Sequence, residues 1–244
     1  MQNDRKLAGS TLNQAICALR TLYRDHLDRR WKIWSKIKVV RDEPLPTVLT
    51  RDEVALLLSQ FRDGRYRAYF TVVYHCGLRM SEALNLKPSD IDGERLVIRV
   101  RQGKGGKSRE VPIDGGLLKR LRTFYRSHRN PLWLFPGPGR GWKSSGISLR
   151  AALHVSKHAM TKASAWQALN LAKASSGLGK RHPGLRIHTL RHSYATHMLE
   201  GGASVRQVAA YLGHASLKPT MVYLHLTEVS EAQARGALRT LPGI

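Results

Sequence analysis

The forty residues 187–226 constrain the fold more than any other stretch, because their starts and stops leave the chain little freedom. Leu190, Tyr194 and Met198 repeat every four residues, which predicts a helix that buries one stripe. Gly201 and Gly202 stop it, since glycine takes the left-handed cap conformation at little cost. Ser204 and Gln207 have capping-box spacing and open a second helix, whose Val205, Val208, Ala209 and Leu212 fall at i, i+3, i+4 and i+7. Gly213 ends that helix and leaves His214 just beyond a sharp turn. Pro219 suits the first position of a last short helix carrying Thr220, Tyr223 and His225. His188 and Arg191, three apart, can project together from the start of the first helix.

H-T-L-R-H-S, then L-G-H, then T-x-x-Y-x-H, in that order, resembles the C-terminal half of the tyrosine recombinase (phage integrase) family, most of all its Xer-type and integron-integrase branches. An ordered match of three boxes is far more specific than any one of them. The resemblance implies a mainly α fold with a small antiparallel β-sheet (α+β).

Charge points to the same class of partner independently. Lys and Arg number 41 against 17 Asp and Glu, a net +24. That excess predicts a polyanion, because neutralising phosphates releases condensed counterions. A hydrophobic content of 42% with clear periodicity argues for a folded domain rather than a basic tail. No apolar run approaches the roughly 20 residues of a spanning helix, so a membrane role is not expected. Cys17 and Cys76 lack metal spacing and read as reduced thiols of a cytosolic protein.

Along the chain, residues 11–34 read as one amphipathic helix with Leu12, Ile16, Leu19, Tyr23 and Leu27 as its stripe. By the resemblance, 1–38 is a remnant of a helical core-binding domain, 39–49 a linker, and 50–244 the catalytic domain. That reading makes the chain a fragment or truncated form, or has its first helix fold back on the catalytic domain; in both cases weak, strongly salt-sensitive DNA binding is expected. Thr50 and Glu53 form another capping box. Arg79 follows the helix-stopping Gly77 at the start of a new helix, where the positive macrodipole end favours a phosphate. An isolated arginine there would more often pair with Glu82. The surrounding G-L-R-M-S-E, however, is similar to the family's first arginine box, with Glu82 as its supporting acid.

Residues 96–100 and 109–113 alternate around a glycine-rich basic tip, which predicts a β-hairpin with Pro112 on an edge strand. Lys104 stands where the family carries its catalytic hairpin lysine; Lys107 and Arg109 are expected to contact phosphates. Residues 137–187 hold nine Lys and Arg and no Asp or Glu, and read as a basic insertion-like segment contacting DNA, Arg140 and Lys143 included. A solvated insertion used in protomer packing is the alternative. His154 and His158 share metal-ligand spacing but lack a carboxylate or cysteine companion, which favours a solvated or DNA-facing helix. A short amphipathic helix is expected over 230–241, docking on a neighbouring protomer by the resemblance.

The catalytic set implied by the resemblance is Arg79, Lys104, His188, Arg191, His214 and Tyr223, with Glu82 and His225 supporting. Arg79 and Arg191 would neutralise the non-bridging phosphate oxygens, to which guanidinium forks are matched. His214 would donate a further hydrogen bond. Tyr223 would attack phosphorus, aided by the guanidinium field and with His188 as proton acceptor or its organiser, and Lys104 would protonate the leaving 5′ oxygen. The implied product is a 3′-phosphotyrosine ester with a free 5′-hydroxyl, which needs neither a nucleotide cofactor nor a metal. The implied partner is double-stranded DNA with paired recombination sites, bound by a homotetramer that is monomeric when free. The expected location is the cytoplasm, associated with a bacterial or phage nucleoid. Two rivals share these residues: a type IB topoisomerase, and a DNA-binding protein of recombinase descent that no longer cuts.

Overall fold

The structure, a computed structural model, describes residues 9–29, 31–37, 45–101 and 108–227. The chain divides into two compact units, Met1–Leu45 and Pro46–Ile244. In the first unit, α1 (Gly9–Thr21) runs into a π-helical turn, Leu22–His26. The single helix expected over 11–34 breaks there. Asp28 takes a left-handed φ of 47°, and helix resumes only as α2 (Ile33–Lys36). Tyr23 stacks at a tilt against Trp31 and Trp34, with ring centroids 4.5 and 5.9 Å away, and Arg20 donates to the Trp34 carbonyl at 2.8 Å. An unbroken helix would hold those tryptophans about two to three turns from Tyr23; the break is what lets the aromatic rings meet.

The second unit opens with α3 (Arg51–Ser59), whose Thr50 and Glu53 form the expected reciprocal capping box. Asp63 caps α4 (Gly64–His75), and the chain then turns through Gly77 into α5 (Met80–Leu84). Gly77 has φ +56°, and a Cβ there would lie 2.3 Å from the Tyr194 ring, so the turn requires glycine twice over. Strands β1 (Ile91–Asp92), β2 (Val97–Val100) and β3 (Arg109–Pro112) form an antiparallel sheet in that order. Val100 pairs with Arg109 at the closed end of the hairpin, and Pro112 lies opposite Val97 on the edge strand. Helix α6 (Gly115–His128), capped by Asp114, follows.

Residues 137–187 are largely helical. They form a 3₁₀ turn (Trp142–Ser144), α7 (Leu149–Val155), α8 (Lys162–Ser176) and α9 (Leu178–Arg181). On α8, Ala165, Ala168, Leu169 and Ala172 fall at i, i+3, i+4 and i+7 and are buried. Together with Leu178 and Leu185 they share one core with Leu57, Tyr69, Phe70, Ile98 and Phe135. Large side chains buried this fully contribute roughly 1.5–3 kcal/mol each, so this stretch is part of what holds the unit together.

The capped helices expected near the C-terminus follow as α10 (Ile187–Glu200), α11 (Val205–Leu212) and α12 (Lys218–Met221), with a 3₁₀ turn at Leu224–Leu226. A second apolar cluster of Tyr194, Ala195, Leu199, Val208, Leu212 and Tyr223 binds them together. The helix expected over 230–241 lies outside the described residues. No described helix is long and apolar enough to cross a membrane.

Candidate active site

The site is assembled around one buried carboxylate. Glu82, on the first turn of α5, accepts from the Arg79 backbone N–H and from the Arg79 guanidinium, both at 2.7 Å. Arg109 reaches across from β3 and grips both oxygens of Glu82, at 3.0 and 2.8 Å, while its Nε donates to the Tyr211 carbonyl at 2.6 Å. Burial alone would raise the Glu82 pKa. The hydrogen bonds from Arg109 and from Arg79 outweigh it and hold the carboxyl at about 2.

Arg109 therefore corrects the sequence reading. Its side chain is largely buried between Glu82 and a backbone carbonyl, and its Nε, Nη1 and Nη2 each donate to protein. Gly213 makes room for it: a Cβ there would sit 3.0 Å from the Arg109 Nη1 atom.

Arg191 projects from the first turns of α10 into the same cluster and is itself buried. Its Nη1 donates to the Gly77 carbonyl and its Nη2 to the Leu212 carbonyl, each at 2.6 Å, and Glu82 stands 3.9 Å away. Burial, then repulsion from Arg79, lower its pKa to about 10, with Glu82 opposing. It stays cationic at neutral pH. The tight turns at Gly77 and after Leu212 thus supply the carbonyls that aim this guanidinium.

His214 follows the left-handed Gly213 and meets Arg191 Nη2 through Nε2 at 3.1 Å and the Thr220 hydroxyl through Nδ1 at 2.7 Å. Burial and the neighbouring arginines lower its pKa to about 4. Tyr223, between α12 and the last 3₁₀ turn, is 5% exposed. Its hydroxyl meets His192 Nδ1 at 2.8 Å.

Two expectations change here. The phenol's partner is His192 and not His188, which lies exposed one turn earlier with its ring centroid 6.3 Å from that of His192. Burial also raises the Tyr223 pKa despite the opposing field of Arg191, so the resting phenol keeps its proton. His192 is held neutral, its pKa lowered to about 4 by burial, His188 and Arg191.

Of the residues singled out in the sequence, Arg79, Glu82, Arg191 and His214 come together, and Tyr223 lies within the field of Arg191. Lys104 and Lys107 lie outside the described residues, as does the side chain of His225. Arg140 stands exposed just before the Trp142–Ser144 turn, and Lys143 stands exposed within it. His154 does not face His158 as a ligand pair; its Nδ1 meets the His128 carbonyl at 2.9 Å. Sequence spacing did not reveal His192 or Thr220 as site residues, although both sit inside the boxes quoted above.

Chemically, the arrangement gathers two guanidiniums and an imidazole about Glu82, with a phenol in the field of Arg191. That is a set for stabilising charge on a phosphoryl group during attack by an oxygen nucleophile. Comparison with known proteins points the same way. The sequence profile of the phage integrase family matches residues 47–229. Tyrosine recombinase XerA of Thermococcus onnurineus is 32% identical over 242 residues, covering 97% of this chain and 78% of that protein. A crystal structure of XerA recombinase aligns with a TM-score of 0.62 at 26% identity, over 98% of this chain and 80% of that one. The XerH site-specific recombinase bound to its difH substrate aligns with a TM-score of 0.70 at 22% identity, over 98% of this chain and 68% of that one.

Proposed function

This chain belongs to the phage integrase family of tyrosine recombinases and is a site-specific DNA strand-exchange enzyme; from that premise we propose which residues carry each step. Tyr223 gives its phenolic proton to His192, whose Nδ1 lies 2.8 Å away, as the phenol oxygen attacks the scissile phosphorus. The P–O5′ bond breaks, a 3′-phosphotyrosine ester forms, and Lys104 protonates the departing 5′ oxygen. Arg79 and Arg191 hold the non-bridging oxygens, and His214 adds a hydrogen bond to the same group. The bond energy stays in the ester, so a 5′-hydroxyl from a second strand can reverse the step and complete an exchange. The observation that carries this assignment is the convergence of Arg79, Arg191 and His214 about Glu82, with the Tyr223 phenol in the field of Arg191.

Double-stranded DNA is the partner. The net charge of +24 supports it, and the XerH neighbour was solved on a DNA substrate. The working assembly in this reading is four copies on two sites, cutting in alternating pairs. A pool of nicked duplexes of random sequence tests the reading. Covalent capture and sequencing of the attached strands should enrich one motif, and a plasmid carrying two copies of that motif should recombine. Relaxation of supercoiled plasmid irrespective of sequence, without two-site products, would instead assign the chain to the topoisomerases.

A further inference from the structure

Both ring nitrogens of His214 are occupied by protein groups, and the chemistry of those groups fixes its proton. Nε2 lies 3.1 Å from Arg191 Nη2. A guanidinium only donates, so Nε2 is the acceptor and carries no hydrogen. The neutral ring, consistent with its lowered pKa of about 4, then bears its proton on Nδ1 and donates it to the Thr220 hydroxyl at 2.7 Å. In this tautomer His214 has no N–H at Nε2, the atom that shares the phosphoryl pocket with Arg191. Arg191 is committed as well, with Nη2 divided between the Leu212 carbonyl and His214.

The resting arrangement is thus the wrong tautomer for the role assigned to His214 above. Reaching the right one requires a partner at Nδ1 that can change from acceptor to donor. A hydroxyl does both. Thr220 is fully buried, which fixes the position of that hydroxyl, and its carbonyl accepts the Tyr223 backbone N–H at 3.1 Å. The same residue therefore touches the phosphate-binding imidazole through its side chain and the nucleophile's turn through its backbone.

We propose that Thr220 is a positioning residue that lets His214 exchange tautomers when the scissile phosphate arrives. The phosphate draws the Arg191 Nη2 hydrogen away from His214. His214 releases the Nδ1 proton to solvent and takes one at Nε2, with no net change in charge. Nε2–H then donates to the phosphoryl oxygen, and the Thr220 hydroxyl reverses to donate to Nδ1. His214 is only partly buried, so water reaches the ring for this exchange. The inference rests on the recombinase reading for the identity of the anion, and on the two His214 distances for the switch.

The test compares Thr220→Val, which keeps the shape and removes the hydroxyl, with Thr220→Ser, which restores it. Thr220→Val should fold and bind the nicked duplex pool within about twofold of the wild type. Its single-turnover adduct formation should fall about 10- to 100-fold, the size of one lost buried hydrogen bond, and Thr220→Ser should recover most of that loss. In protein labelled with ¹⁵N-histidine, carrying Tyr223→Phe to prevent cleavage, His214 should be the Nδ1–H tautomer when free and the Nε2–H tautomer on duplex. Wild-type rates in Thr220→Val, equal defects in the two variants, or one tautomer in both states would each overturn the proposal. Absence of any adduct in the wild type would instead count against the recombinase assignment, and the tautomer comparison would still decide the role of Thr220.

Discussion

The two halves of the site are built from different kinds of bond. Arg79, Arg109 and Arg191 are fixed by ion pairs to one buried carboxylate and by backbone carbonyls, on elements drawn from across the unit. His192 with Tyr223, and His214 with Thr220, are paired by single bonds between neutral groups, and His214 also meets Arg191 across the divide. Tyr223 and Thr220 also lie at a four-residue helix and a three-residue 3₁₀ turn. Charge-assisted bonds are roughly twice as strong as neutral ones, and so short a helix has little stability of its own. The arginine cluster about Glu82 is the more firmly held, and Tyr223, the proposed nucleophile, is held with its imidazole partner by the weaker kind of bond.

Acid separates the halves by pH window and should give the largest effect. The histidines at 192 and 214 have folded pKa values of about 4, below the usual 6.5, so the unfolded chain binds protons first as pH falls. Their contribution to stability is complete above pH 6.5 and is lost between 6.5 and 4. Glu82, held at about 2, contributes above 4.5 and loses its contribution between 4.5 and 2. Unfolding monitored against pH should therefore begin with the histidine half. His214→Phe, if folded, should reduce the slope in the upper window, to which His128 and His192 also contribute, and leave the lower one; an unchanged upper slope would contradict the division.

Glu82→Ala comes next, since it leaves three guanidiniums facing one another. Denaturant unfolding should show a loss of about 3–5 kcal/mol. A loss under about 1 kcal/mol would mean the pocket is not built on this carboxylate. Arg109→Met should cost less, about 1.5–3 kcal/mol, because Glu82 keeps both bonds from Arg79. It should also leave the slope of log affinity against log salt unchanged, whereas a phosphate contact would reduce that slope by about one. The smallest effect belongs to the neutral half. A double-mutant cycle of His192→Phe and Tyr223→Phe should give a coupling of about 0.5–1.5 kcal/mol; a coupling near that of Glu82 would erase the contrast between the halves.

The same contrast explains what the sequence could and could not reveal. Helices α10 and α11 were legible because their caps and stripes are local: Ser204 with Gln207, and Val208 with Leu212, lie within two turns. Arg109 was misread because its partner Glu82 is 27 residues back, and beside a lysine-rich tip an arginine resembles a phosphate contact. His188 and His192 lie one turn apart on the same helix, and only the packing of α10 against Tyr223 shows which imidazole meets the phenol. Residues 137–187 combine charge of one sign with a buried stripe of Ala165, Ala168, Leu169 and Ala172. Small alanines make such a stripe easy to miss. The break at Asp28 has no glycine or proline to announce it; it accompanies the contacts of Tyr23 with Trp31 and Trp34, which lie well beyond local spacing.

The central claim is that Tyr223 becomes covalently joined to DNA, and mapping the adduct tests it most directly. A nicked duplex that traps the ester should be digested with protease, and the nucleotide-bearing peptide identified by mass spectrometry. The modification is expected on Tyr223, with the DNA attached through its 3′ end, and Tyr223→Phe should bind the same duplex yet yield no adduct. A modified Tyr211, or undiminished adduct in Tyr223→Phe, would contradict the assignment.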